Sequence, residues 1–145
     1  MNTLQYPRSP KALVGGMAHL GRLIDKVRLR HAGHIRGYNY LAVGFDKDLL
    51  ELLQITPQAF EQRVLQGGTD DEILAWVKTQ ARPLSDDEIR QWNDRILHGG
   101  PDDAAAKQRF VARLAEAAAH RGVSVECTSH LSTWADLIDF DEGRL

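Results

Sequence analysis

The same helix start is written twice in this chain. Thr69-Asp70-Asp71-Glu72 and Ser85-Asp86-Asp87-Glu88 stand sixteen residues apart. Each matches the capping box, in which a hydroxyl accepts from a backbone N–H and the glutamate reaches back to the N–H of the cap. The paired aspartates add negative charge at the positive end of the helix dipole. The likeness continues along both segments, TDDEILAW at 69–76 and SDDEIRQW at 85–92, which places Ile and Trp on one face each time. Two copies at so short a period do not make a solenoid, which needs three or more. They read as convergence on a good helix start, with Trp76 and Trp92 as core wedges.

The remaining punctuation is also helical. Pro7, Pro10, Pro57, Pro83 and Pro101 all stand at boundaries, where the missing N–H of proline costs nothing. Ser9-Pro10 and Thr56-Pro57 read as an N-cap followed by a first helical residue. Gly67-Gly68 and Gly99-Gly100 stop the helices before them, because glycine takes the left-handed conformation cheaply. Apolar residues recur at i, i+3, i+4 and i+7 in Ile73/Trp76/Val77, Ile89/Trp92/Ile96, Phe110/Leu114/Ala117/Ala118 and Leu131/Trp134/Leu137/Ile138, which is helical spacing. The expectation is an all-α bundle of about seven helices: 10–31, 47–54, 57–66, 70–81, 86–98, 102–120 and 132–140. Val123 to Cys127 is the one stretch that reads as a short strand.

At 145 residues this is the length of one domain, 1–145. Hydrophobic residues at 43% supply a core, and no run approaches the roughly 20 apolar residues of a membrane helix. The opening MNTLQYPRSPK lacks the apolar stretch of a signal peptide. Cys127 is the single cysteine, so no internal disulfide forms. The expected location is the reducing cytoplasm.

Charge is unevenly spread. Residues 1–47 hold eight basic and two acidic side chains, a balance of +6, and residues 48–145 hold ten and eighteen, a balance of −8. The overall balance of −2 argues against nucleic acid, whose binding domains are usually basic throughout. Attraction between the two parts, within the fold or across a homodimer, is the simpler reading.

The first helix holds the residues that folding alone leaves unexplained. Leu13, Met17, Leu20, Leu23, Ile24 and Val27 form its apolar face, and at roughly 100° per residue His19, Arg22, Lys26 and Arg30 gather on the far side. Lys26 has Arg22 and Arg30 four residues away, a like-charge spacing that costs a few tenths of a kcal/mol. Asp25 reaches Arg22 and Arg28 and relieves part of this. An acidic residue of the fold, a bound anion or water has to answer the rest. Among acidic residues the tail, with Asp139, Asp141 and Glu142, is the best placed; it would bring His19, Arg22 and Lys26 near Arg144 in one polar cleft. Gly15, Gly16 and Gly21 weaken the same helix by up to about 1 kcal/mol each, a sign of close packing or of a break at Gly15-Gly16. The following loop, Gly33 to Tyr40, sets Tyr38 and Tyr40 beside the basic stripe.

Other signatures are absent or faint. His31-x-x-His34 and Cys127-x-x-His130 each offer two ligands where a zinc site needs three or four, so no metal is expected. No phosphate-binding loop, dinucleotide fingerprint or hydrolase elbow is present, so no cofactor is expected either.

Ser9-Pro10, Leu13 to Gly16, and His19-Leu20-x-Arg22-x-x-Asp25-Lys26-x-Arg28 together resemble a bacterial family classed as a domain of unknown function, the one numbered 5069. The resemblance continues through Tyr38-x-Tyr40, Asp46, Thr69 to Ile73, Trp76 and the ending Asp139-x-Asp141-Glu142-Gly143-Arg144, nearly the whole chain. Where the family carries a Cys-Pro-Leu-Asp-like stretch after the tyrosines, this chain has Leu41-Ala42-Val43-Gly44-Phe45-Asp46, without the cysteine. The resemblance implies no activity. It implies that His19, Arg22, Asp25, Lys26, Tyr40 and the tail belong to a family pattern.

The leading functional expectation is a small cofactor-independent enzyme, or a binding protein, for an anionic small molecule. His19 would move a proton, Asp25 would orient Arg22, Tyr40 would donate a hydrogen bond, and Arg22, Lys26, Tyr38 and Arg144 would hold the ligand. The cations near His19 favour its neutral form, which suits a general base. The alternative is a protein-interaction module that uses the charge asymmetry; a nucleic-acid binder comes last.

Overall fold

Two glycines decide where the first helix begins. In the computed structural model, which describes residues 6–35 and 38–145, Gly15 and Gly16 take φ of 59° and 79°. Two successive residues at positive φ form a type I′ turn, whose twist suits a tight hairpin. It joins β1 (Leu13–Val14) to β2 (Met17–Ala18), antiparallel, with Leu13 opposite Ala18 and Val14 opposite Met17. Helix α1 therefore runs over Leu20–His31, where the sequence predicts a helix over 10–31. Ser9 is not an N-cap: its hydroxyl and carbonyl close a turn onto the N–H groups of Lys11 and Ala12. Arg36 and Gly37, in the loop after α1, lie outside the described residues.

The other helices follow their punctuation. They are α2 (Gly44–Leu53), α3 (Pro57–Leu65), α4 (Asp70–Gln80), α5 (Asp86–His98), α6 (Ala104–Arg121) and α7 (Trp134–Asp141). Both capping boxes close: Thr69 with Glu72, and Ser85 with Glu88, each in two reciprocal hydrogen bonds. Thr56, Asp103 and Thr133 cap α3, α6 and α7. The strand expected at 123–127 is instead a 3-10 turn over Val125–Thr128, opened by the Ser124 hydroxyl accepting from the Glu126 N–H. With seven helices and one two-residue hairpin among the described residues, the fold is all-α. None of these helices is long and apolar enough to cross a membrane.

The chain forms two compact units, Met1–Asn93 and Asp94–Leu145. In the first, α1 is wrapped. Leu20, Leu23, Ile24 and Val27 are fully buried, and α1 packs against α3 and the hairpin. Trp92 fastens the hairpin through Nε1 to the Ala18 carbonyl, at 2.9 Å. Asn93 adds a bond from the Ala18 N–H and one to the Gly16 carbonyl. Gly21 lets the hairpin approach α1 closely: a Cβ there would stand 2.9 Å from Val14 and 3.1 Å from the Arg8 guanidinium. Trp92 is buried as expected, whereas Trp76 is only half-buried. In the second unit, Phe110, Ala117, Leu131, Leu137 and Phe140 form the core, with Leu114 and Trp134 packed against it. Trp134 meets Phe110 edge to face at 5.0 Å between centroids.

Candidate functional site

Because α1 is enclosed, its polar residues are enclosed with it. His19, Arg22, Asp25 and Lys26 are all buried, between 2 and 5% exposed. The far side of α1 is thus not the solvated face that its spacing allows, and each charge there needs a partner. Toward the helix end Arg28 is half-buried and Arg30 and His31 reach solvent, the Arg30 guanidinium stacking 4.1 Å over the Tyr40 ring.

Asp46 of α2 is the hub of this polar interior. Its Oδ1 lies 2.6 Å from His19 Nε2. Lys26 Nζ donates to both of its oxygens, at 3.1 and 3.0 Å, and to the Asn39 carbonyl at 2.9 Å. The backbone N–H of Leu41 adds a bond to Oδ2 at 3.0 Å. Burial alone would raise the carboxyl's pKa, but the His19 hydrogen bond and the Lys26 charge outweigh it and hold the pKa below the usual carboxylate range. Asp46 is therefore the acceptor in every one of these bonds.

His19 is correspondingly neutral. Burial is the largest influence and lowers its pKa; Asp46 opposes this, while Lys26 and Arg22 reinforce it. A neutral imidazole that faces a carboxylate through Nε2 carries its proton there, and Nδ1 keeps its lone pair. Nδ1 is buried and has no hydrogen-bond partner. The ring plane is fixed by Phe45, edge-on at 5.8 Å.

The backbone around this hub is strained. Among the described residues three non-glycines have positive φ: His19 at 72°, Leu41 at 56° and Gln54 at 59°. Gln54 is an ordinary helix C-cap. His19 and Leu41 are the two residues that grip Asp46 through Nε2 and backbone N–H. At Leu41 an Ala42 N–H to Tyr40 carbonyl bond of 2.5 Å closes a three-residue turn, the scarce γ-turn with a positive central φ. Non-glycine residues in this region cost about 1–3 kcal/mol each and cluster where a site is held in place.

Three of the residues marked from sequence have other partners than expected. Asp25 was set against Arg22 and Arg28; its carboxylate accepts from Arg8, which donates from its backbone N–H, Nε and Nη2. Arg28 instead meets Asp70 at 2.9 Å, and Arg8 meets the other oxygen of Asp70 at 2.8 Å. Burial opposes the ionised forms, yet these bonds raise the pKa of Arg8 and lower that of Asp70. Asp25 is thus a structural anchor for the segment before the hairpin. Lys26, for which the sequence offers the acidic tail, meets Asp46. Tyr40 donates its hydroxyl to Glu61 of α3 at 2.5 Å, and burial together with that carboxylate raises its pKa far above the ordinary phenol. It tethers the loop to α3.

The structure does gather His19, Arg22, Lys26 and Tyr38. The Tyr38 ring, half-buried, lies 5.7 Å from the Arg22 guanidinium carbon and 6.0 Å from Lys26 Nζ. Arg22 also donates through Nη1 to the Arg8 carbonyl at 3.1 Å. Arg144 belongs to the second unit, where it pairs with Asp139 and Glu142 at 3.2 and 2.6 Å. His31, His34, Cys127 and His130 are exposed, and no group of three or more metal-ligating side chains occurs among the described residues.

Sequence reasoning placed Asp70 only at its helix start and Asp46 only in the family resemblance, and gave no role to Arg8 or Glu61. The only local signal for Asp46 is an acid in the first turn of a helix, which the expected start at 47 excluded.

No curated protein matches the chain. A family model does, over residues 4–144, under the description Domain of unknown function (DUF5069). The buried His19–Asp46–Lys26 arrangement is therefore a feature of a chain that belongs to the DUF5069 family.

Proposed function

We propose that the first unit takes a small anionic molecule beside His19 and that His19 Nδ1 acts on it as a cofactor-independent general base. The observation that carries this reading is the asymmetry of the His19 ring: Nε2 is bound to a carboxylate and Nδ1, equally buried, has no partner. A buried polar atom left so costs about 1–3 kcal/mol, which a ligand that donates to it would recover.

The roles follow from the geometry. Asp46 fixes the tautomer and stabilises the imidazolium formed when Nδ1 takes a proton. Lys26 Nζ donates to the Asn39 carbonyl and to both oxygens of Asp46, and its charge keeps Asp46 ionised. Arg22 supplies the positive charge for the anion, and Tyr38 forms the adjoining wall. Tyr40 and Asp25 position the loop and the segment before the hairpin. The enclosure of the group means that the ligand enters as neighbouring side chains give way, a common step in such sites.

The test is a panel of small anions, starting with inorganic phosphate and short mono- and dicarboxylates. Binding is followed by thermal shift and by the 15N resonances of the His19 ring. A binder raises the melting temperature and moves the Nδ1 resonance, and His19→Gln abolishes both effects while remaining folded. Binding that leaves Nδ1 unmoved, or that survives His19→Gln, overturns the reading.

A further inference from the structure

Beside Leu41, α2 and α3 leave an open hollow of about 490 Å3. That is the size of a small-molecule site, which usually falls between roughly 300 and 1,000 Å3. Its floor is apolar, with Leu41, Leu50, Ile55 and Pro57. Its rim carries one charge of each sign, Lys47 and Glu51, one turn apart on α2 and paired at 3.3 Å. Both are more than half exposed, so the pair is weak and opens readily. The N-terminal end of α3 also borders the hollow, through Thr56 and Pro57, and has no acid in its first turn; α4 and α5 each have three. A carboxylate placed there meets Lys47 and the positive end of a helix, and an ammonium beside it meets Glu51.

Leu41 connects this hollow to the hub. Its side chain is part of the floor, its φ is 56°, and its N–H holds Asp46. A molecule seated on the floor bears on one of the two strained residues that hold the Asp46 carboxylate.

We propose that the hollow between α2 and α3 is a regulatory site for a free amino acid with an apolar side chain, and that its occupancy is transmitted through Leu41 to Asp46 and His19. The apolar floor takes the side chain, Lys47 the carboxylate and Glu51 the ammonium. The net charge of rim and ligand together stays at zero, which distinguishes this ligand from a fatty acid or an alkylamine. The site is separate from the one assigned above, and His19 serves here only as the reporter, so the inference stands whether or not His19 performs chemistry.

The experiment is a titration of the full chain with L-leucine, with 4-methylpentanoate and 3-methylbutylamine as probes that carry one charge each. Backbone amide resonances report the hollow, and the 15N resonances of the imidazole report His19. Saturable shifts at Leu41, Leu50 and Ile55 with L-leucine are expected, accompanied by a shift at His19. Each single-charge probe binds about tenfold more weakly, and Lys47→Met and Glu51→Gln each weaken L-leucine about tenfold. Both substitutions are at exposed positions, so folding is not in question. Absence of saturable shifts in the hollow overturns the site. Equal binding of all three probes overturns the ligand class. Saturation of the hollow with His19 unmoved overturns the transmission through Leu41.

Discussion

A histidine kept neutral by burial links the stability of this protein to pH in a definite direction. Unfolded His19 takes up a proton near pH 6.5, while folded His19 resists it because burial has lowered its pKa. Below about pH 6.5 the unfolded state therefore binds the extra proton and stability falls, by up to about 1.4 kcal/mol per pH unit, until the folded pKa is passed. Above that window the contribution is fully present. Denaturant unfolding between about pH 7 and 5 should show this slope in the native protein and lose it in His19→Gln; an unchanged slope would assign the titration to another group. Asp46 makes a second prediction. Asp46→Asn leaves the Lys26 ammonium buried without its counter-charge, and removal of one member of such a pair costs roughly 3–5 kcal/mol. The double variant Asp46→Asn, Lys26→Met should be less damaged than the single one, because the stranded charge is gone. If the double variant is the worse of the two, the Lys26–Asp46 pair is not the source of the loss.

Elements that announce themselves within four residues were legible, and those that depend on distant residues were not. The capping boxes at Thr69 and Ser85 are local, and both helices begin where they say. Thr69→Ala and Ser85→Ala should each lower stability by about 0.5–2 kcal/mol, measurable as a shift in the denaturation midpoint. The hairpin was missed because two-residue strands are too short to show a period of two, while Leu13 and Met17 happen to extend the helical face of Leu20, Ile24 and Val27. Gly15-Gly16 held the contrary signal, and a helix break was only one of the explanations it allowed. Gly15→Ala should cost about 1–2 kcal/mol from the left-handed backbone alone, and more because its Cβ would meet the Leu74 side chain at 2.5 Å. The site was half legible. Arg22 and Lys26 stood out as cations beside His19 on one expected helix, with no acid four residues from Lys26. Asp46 lies twenty residues beyond Lys26, on a helix whose start carries no side-chain cap, so nothing local tied the two together.

Across the whole chain, both units combine an apolar core with buried charge. In the first, Leu20, Leu23, Ile24 and Val27 are buried with the Lys26–Asp46 pair, and Arg8 spans the buried Asp25 and the part-exposed Asp70. In the second, Phe110, Ala117, Leu131, Leu137 and Phe140 form the core, the buried Asp139 and Glu142 pair with Arg144, and the histidines, His98, His120 and His130, are exposed. Burial differs also between the two tryptophans of the repeated motif, so Trp92→Ala, at roughly 3–5 kcal/mol, should exceed Trp76→Ala. The burial of His19 sets the last expectation. When pH is lowered from about 7 to about 5.5, protonation of His19 is opposed by its burial. Amide hydrogen exchange should therefore quicken at Leu23, Ile24 and Val27 of α1, where local opening lets His19 charge, and hold nearly steady at Leu114, Ala117 and Ala118 of α6. In His19→Gln the quickening in α1 should vanish. Equal loss of protection in both units, or a loss in α1 that persists without the imidazole, would show that the proton is not taken up at His19.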